Sequence, residues 1–293
     1  MSMTTLGAAR VVEGWSQTRR SAANRLAIMQ LDGKSVVVTG AGSGIGRALA
    51  VRFASEGAAV AVADLNAGSA QATAGTVAAA GGRALAVACD VRREGEVHHL
   101  AAAAAEAFGP IDLFCSNAGV GATGGPEAPD ESWTLSWEVH VMSHVYAARA
   151  VLPAMLARKQ GYLLNTASAA GLLTNLGAAP YSVTKHGAVA LAEWLSITYG
   201  DQGIKVSCLC PQGVRTPLLL GGLDVPAGGA VTAAGELIEP EQVADAVVVG
   251  IAEEAFLILP HPEVLGYLQK KAADYDRWLR GMRRVQARLT AGQ

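Results

Sequence analysis

From Lys34 onward the chain alternates short runs of Val, Ile and Ala with longer stretches in which apolar residues recur at helical spacing. Uninterrupted apolar runs suit strands buried on both faces, and a helix between two such strands returns the second parallel to the first. The pattern predicts strands at residues 35–39, 59–63, 84–89, 111–116, 162–165, 205–209 and 256–259. Helices are expected near residues 45–55, 67–80, 94–107, 132–157, 181–199 and 240–252. A last, charged helix over residues 263–289 carries Leu265, Leu268, Ala272, Tyr275 and Leu279 on one stripe. The expected fold class is α/β: one doubly wound parallel sheet flanked by helices, residues 31–260. An N-terminal extension, residues 1–30, precedes it, and a C-terminal helical extension, residues 261–293, packs on the same domain.

The extension of residues 1–30 has Arg10, Arg19, Arg20 and Arg25 but no apolar core of signal-peptide type. It reads as a flexible or surface-docked arm. The Gly- and Ala-rich stretch of residues 221–235 reads as a mobile loop rather than a linker.

Composition narrows the class. With 51% hydrophobic and 16% charged residues the chain can fill a core, and a formal charge of −2 gives no broad positive field for a polyanion, so nucleic acid is not an expected partner. Residues 161–184 carry no charge, yet Asn165, Ser168, Asn175 and Pro180 interrupt them, which argues against a membrane span. Cys89, Cys115, Cys208 and Cys210 have neither zinc nor redox spacing and read as buried small hydrophobes, consistent with a reducing, cytoplasmic setting. The histidines show no metal-site spacing, and no metal is expected.

Candidate chemistry begins at Thr39-Gly40-Ala41-Gly42-Ser43-Gly44-Ile45-Gly46, which leaves a strand and opens a helix. Such a glycine-rich turn lets backbone N–H groups meet a pyrophosphate at the positive helix end, the arrangement of a Rossmann-type sheet. Asp64 ends the next strand, where a carboxylate bonds the adenosine ribose and repels a 2′-phosphate. With Ser43 in the loop and Leu65 after the acid, no nearby cation favours the phosphorylated cofactor, so NAD is expected over NADP. Downstream, Tyr181 and Lys185 lie one helical turn apart, and a nearby ammonium favours the phenolate over the phenol. Ser168, just past another strand end, offers a hydroxyl to orient a carbonyl.

The glycine loop, Ser116-Asn117-Ala118-Gly119, Ser168, the Tyr181/Lys185 pair and Pro211-Gln212-Gly213-Val214-Arg215-Thr216-Pro217 occur in the order of the short-chain dehydrogenase/reductase family, which the chain resembles over residues 31–260. The resemblance implies that Ser168 positions the carbonyl, Tyr181 exchanges the proton, and Lys185 lowers the tyrosine pKa while holding the nicotinamide ribose. It further implies that Gly40, Ser43, Gly44, Ile45 and Gly46 bind the pyrophosphate, and that Asp90 and Val91 contact adenine. Asn117 and Gly119 wall the cleft, and Val214 and Thr216 engage the carboxamide. Gln212 replaces a glycine usual in the family. His140 stands where the family places an asparagine that holds a relay water behind the lysine; imidazole donates and accepts hydrogen bonds, so His140 is expected to keep a modified relay.

The expected activity is hydride transfer between NAD(H) and a secondary alcohol or ketone, with Leu218, Leu219, Leu220, Leu223 and Val225 as an apolar cover for a hydrophobic substrate. A catalytically weak NAD-binding sensor or scaffold is the alternative. A serine hydrolase using Ser168 is a third, disfavoured class, since the Gly-x-Ser-x-Gly elbow and an assigned base are both lacking. By the family's habit, a homodimer or homotetramer is expected through the long central helices.

Overall fold

The computed structural model describes residues 29–221 and 235–291. Most of the N-terminal extension and of the loop at residues 221–235, with Leu223 and Val225, therefore lies outside the described residues. Seven parallel strands form one sheet: β1 (Ser35–Thr39), β2 (Ala59–Asp64), β3 (Arg83–Ala88), β4 (Leu113–Ser116), β5 (Gly161–Thr166), β6 (Ile204–Leu209) and β7 (Leu257–Ile258). Their order is β3-β2-β1-β4-β5-β6-β7. The doubly wound α/β fold read from the sequence is therefore present.

Strand alternation divides the interior into two layers. Val37, Ala61, Phe114, Leu163 and Cys208 point to one face, while Val36, Val38, Val60, Leu113, Leu164 and Leu209 point to the other. The first face is covered by α3 (Glu94–Phe108), α5 (Ser143–Ala157) and α7 (Ala179–Tyr199), through Leu100, Val151 and Ala192 among others. The second is covered by α1 (Gly44–Ser55), α2 (Ala67–Ala79) and α9 (Pro240–Ala252), through Phe53, Ala74 and Val247. All four cysteines are buried and free. Among the described residues no helix is long and apolar enough to cross a membrane.

Two long helices expected from the pattern are divided. Residues 132–157 comprise α4 (Asp130–Trp137), a π turn (Glu138–Met142) and α5. In the wide turn the Ser143 N–H reaches back to Glu138 O, and the Ser143 hydroxyl takes the Val139 carbonyl at 2.6 Å. One extra residue per turn rotates His140 inward, where it is 0% exposed. The C-terminal stretch breaks at Asp274, whose extended backbone (φ −153°, ψ 91°) separates α10 (Glu263–Ala273) from α11 (Tyr275–Ala291). Asp274 Oδ1 accepts the Arg277 N–H at 2.9 Å and so caps the second helix. Short helices α6 (Ala170–Leu173) and α8 (Pro217–Leu220) complete the cleft walls.

Helix α10 is pinned by Lys271, whose buried ammonium donates to the Leu172 carbonyl of α6 at 2.6 Å. Helix α10 thus lies against α6, which begins two residues after Ser168. Helix α11, in contrast, packs chiefly against α10.

Candidate active site

The chain leaves β1 on one side of the sheet and β4 on the other, and ligands of open α/β sheets bind outside the strand ends at such a switch point. Side chains lock it. Thr39 Oγ1 accepts the N–H groups of Asn117 and Ala118 at 2.9 and 3.2 Å, and Asn117 Nδ2 donates to Thr39 O at 3.0 Å. Thr166 then donates to Asn117 Oδ1 at 3.3 Å, so the ends of β1, β4 and β5 form one frame.

The phosphate loop fits against that frame only because it lacks side chains. Gly40 has φ +63°, and a Cβ there would lie 2.8 Å from Ala118 Cα; a Cβ on Gly46 would lie 2.2 Å from Gly40 O. Asp64 accepts the Gly42 N–H through Oδ2 at 2.8 Å and the Asn66 N–H through Oδ1 at 2.9 Å. Both bonds hold the carboxylate at the cleft with acceptor capacity left for ribose hydroxyls. Asp90 forms a forked pair with Arg92, which holds its carboxyl below the usual range.

These groups share one cleft of about 1520 Å³, larger than the ~300–1,000 Å³ of a single small-ligand site. Gly40, Ser43, Gly44, Ile45, Gly46, Asp64, Asp90, Val91, Asn117 and Gly119 line one part of it. Ser168, Tyr181, Lys185, Val214 and Thr216 line another. Every expected site residue except His140 reaches this lining. Leu218 and Leu219 also line it, whereas Leu220 does not and is half exposed.

Burial pushes the Tyr181 phenol up, and the neighbouring Ser168 hydroxyl opposes but does not cancel that push. The Ser168 oxygen accepts the Ala170 N–H at 3.1 Å. Its contact to Pro211 O is long, 3.4 Å, so the hydroxyl proton is weakly committed. Lys185 is anchored on the sheet rather than on the phenol. It donates to Thr166 O at 3.0 Å, and its ammonium stands 5.6 Å from the Tyr181 ring centroid. Burial lowers its pKa to about 8.

His140 meets the edge of the Tyr181 ring at a centroid distance of 5.3 Å. His140 Nδ1 lies 2.8 Å from Thr184 Oγ1, a hydroxyl that also lies 2.8 Å from Pro180 O. Nε2 faces the Val120 backbone, 3.1 Å from its nitrogen and 3.0 Å from its carbonyl oxygen. Burial first, and then the Lys185 charge, hold this imidazole neutral, far below its ordinary range. Both nitrogens face protein groups, Thr184 on one side and Val120 on the other. One turn on, buried His144 is pushed down to about 3, also by burial first and by Lys185 second.

Three features have little sequence signal. His261 clamps the loop after β6, accepting the Gln212 N–H at 3.2 Å and donating to Gly213 O at 3.1 Å. Leu173, Thr174 and Leu176 form a wall beyond Ser168. From the C-terminal helices, Tyr267, Lys270, Arg277, Trp278, Met282 and Val285 line the same cleft, although helical spacing predicts only an amphipathic stripe there.

A glycine-lined dinucleotide groove meeting a Ser/Tyr/Lys cluster defines a nucleotide-dependent oxidoreductase of the doubly wound class. The short chain dehydrogenase family model matches residues 34–220, and the chain belongs to that family. It is 39% identical over 204 residues to a 1-deoxy-11-beta-hydroxypentalenate dehydrogenase of Streptomyces exfoliatus, covering 68% of this chain and 74% of the relative. Similarity to a 2,5-dichloro-2,5-cyclohexadiene-1,4-diol dehydrogenase of Sphingobium indicum is 36% identity over 236 residues, 78% of this chain and 93% of the relative. A short chain dehydrogenase/reductase from Burkholderia phymatum, solved in complex with NAD, superposes with a TM-score of 0.76 at 34% identity, covering 85% and 96% of the two chains.

The buried lysine generates a pH prediction. Its folded pKa of about 8 lies below the ordinary 10.5, so between these values the unfolded chain binds more protons and stability rises with pH. The cost of the buried charge is fully present below pH 8 and is relieved above it. Without nucleotide, Lys185→Met is expected to raise the melting temperature at pH 7, by the equivalent of at most about 3 kcal/mol. The gain should shrink between pH 8 and 10 in parallel thermal melts.

Proposed function

We propose that this enzyme transfers a hydride between NAD(H) and a hydrophobic secondary alcohol or its ketone, with Tyr181 as the proton-exchanging group. The observation that carries this reading is that Ser168, Tyr181 and Lys185 line one cleft together with the glycine loop. NAD suits the groove, because Asp64 stands at the ribose position and the lining beside it, Ser43 and Leu65, offers no cation for a 2′-phosphate. The related structure's NAD complex supports the same cofactor. Bound there, NAD would supply the hydride acceptor for the alcohol, and its reduced form the hydride donor for the ketone.

The protein's own residues do the rest. Ser168 turns its weakly held hydroxyl to the substrate oxygen and fixes it beside Tyr181. In oxidation Tyr181 takes the hydroxyl proton; in reduction it delivers one to the carbonyl oxygen. Lys185, anchored on Thr166 O, places a positive charge near the phenol and favours its ionised form against the effect of burial. Gly40, Ser43, Gly44, Ile45 and Gly46 hold the pyrophosphate, Asp90 and Val91 border the adenine, Asn117 and Gly119 wall the cleft, and Val214 and Thr216 hold the carboxamide. His140 is a positioning residue: its two bonds tie the strand-end segment at Val120 to α7, which carries Tyr181 and Lys185.

The relatives' names describe hydroxyl groups on carbocyclic compounds, and Leu135, Leu173, Leu176, Leu218 and Leu219 give the cleft an apolar wall of matching character. A homodimer or homotetramer is supported by α7, where Trp194 and Ile197 are 54% and 83% exposed.

Tyr181→Phe is expected to lower kcat by about 10²–10⁴-fold while NADH titration by fluorescence stays nearly unchanged; retained turnover would remove Tyr181 from the reaction. For Asp64→Asn, the ratio of kcat/KM with NAD to that with NADP should fall by about tenfold or more. An unchanged ratio would place cofactor choice elsewhere. His140→Ala should lower kcat without moving the pH profile, and His140→Asn should recover part of it. A shifted pH profile in both variants would instead assign His140 to the proton path.

A further inference from the structure

Substrate class is written more narrowly in the C-terminal helices than in the catalytic floor. The Lys271–Leu172 bond fixes α10 beside α6, four residues on from Ser168, and residues of α10 and α11 line the same cleft. Three cations from these helices line it: Lys270, Arg277 and Arg284. Among the described residues none of the three forms an ion pair. Lys270 rests over the Tyr267 ring, 5.7 Å from its centroid. The single acid in this part of the lining is Asp274, and its Oδ1 is already taken by the Arg277 N–H.

Unpaired arginines on a solvated helix are ordinary; these differ in direction and company. Arg277 and Arg284 lie two helical turns apart, roughly 10 Å along one side of α11. Between and beside them Trp278, Met282 and Val285 face the same cleft. Helix α11 holds five arginines against one aspartate, a charge of +4, in a chain whose net charge is −2. Two of the five, Arg277 and Arg284, reach the cleft lining, whereas Arg280, Arg283 and Arg288 do not.

Resting on the hydride-transfer reading above, we propose that the substrate is an amphipathic anion. Its carbinol or carbonyl carbon meets Tyr181, its apolar body lies against the leucine wall and Trp278, and a carboxylate or similar anionic group at its far end engages Arg277 and Arg284, with Lys270 beside them. The arginine side chains present planar donor forks suited to a carboxylate.

The test uses the full chain with NAD and matched pairs of ring-borne secondary alcohols: 4-hydroxycyclohexanecarboxylate and a steroid-sized hydroxy acid, each beside its methyl ester. The acid is expected to exceed its ester roughly tenfold in kcat/KM at low salt. The ratio should fall as sodium chloride rises and should collapse or invert in the Arg277→Glu/Arg284→Glu double variant. Equal kcat/KM for acid and ester, or a ratio unmoved by the double variant, overturns the proposal. If NADH binds but neither member of any pair turns over, the hydride-transfer reading fails by itself. Titration of the carboxylates into the NADH complex, followed by tryptophan fluorescence, then decides the anion site. Saturable, salt-sensitive binding lost in the double variant sustains it, and binding no tighter than that of the esters overturns it.

Discussion

One buried ammonium organises the catalytic side of this molecule. Lys185 is 3% exposed, and a charge so placed persists only where the surrounding dipoles compensate for lost water. The Thr166 carbonyl at the end of β5 supplies one, which ties α7 to the sheet at the point where Ser168 follows. The same charge acts on its neighbours. His140 and His144 are buried beside it and stay neutral, because burial and the ammonium push both imidazoles in one direction. The Tyr181 ring thus has one cation and one neutral imidazole beside it. The π turn is the device that turns that imidazole inward.

The cofactor side rests on a different economy. Thr39, Asn117 and Thr166 cross-link three strand ends with side chains that never need to move, and the glycine loop folds directly onto that frame. Close backbone approach, with no Cβ at Gly40 or Gly46, brings the loop's amide groups to the cleft. The two halves of the site therefore have separate rigid supports that meet at β5.

Much of this was legible in the sequence because it depends on local spacing. Apolar runs marked the strands to within a residue or two, since strands buried on both faces tolerate little else. The glycine loop, Asp64, Ser168 and the Tyr181/Lys185 pair stood out as residue types in a fixed order. The π turn was hidden because Val139 and Val141 flank His140 with apolar residues that satisfy either helical phase. The break at Asp274 was hidden because the stripe from Leu268 through Tyr275 to Leu279 continues across it. Long-range partners left no trace at all: nothing near His261 in the chain points to Gly213, and nothing near Lys271 points to Leu172.

That last contact bears on how such an enzyme changes. The bond from Lys271 hands the substrate wall to a segment at the far end of the chain, coded apart from the strands, the glycine loop and the Ser/Tyr/Lys cluster. Residues 263–291 can therefore vary in what they contribute to the cleft lining without altering the glycine loop, Ser168, Tyr181 or Lys185, so the two parts of the lining are open to change separately.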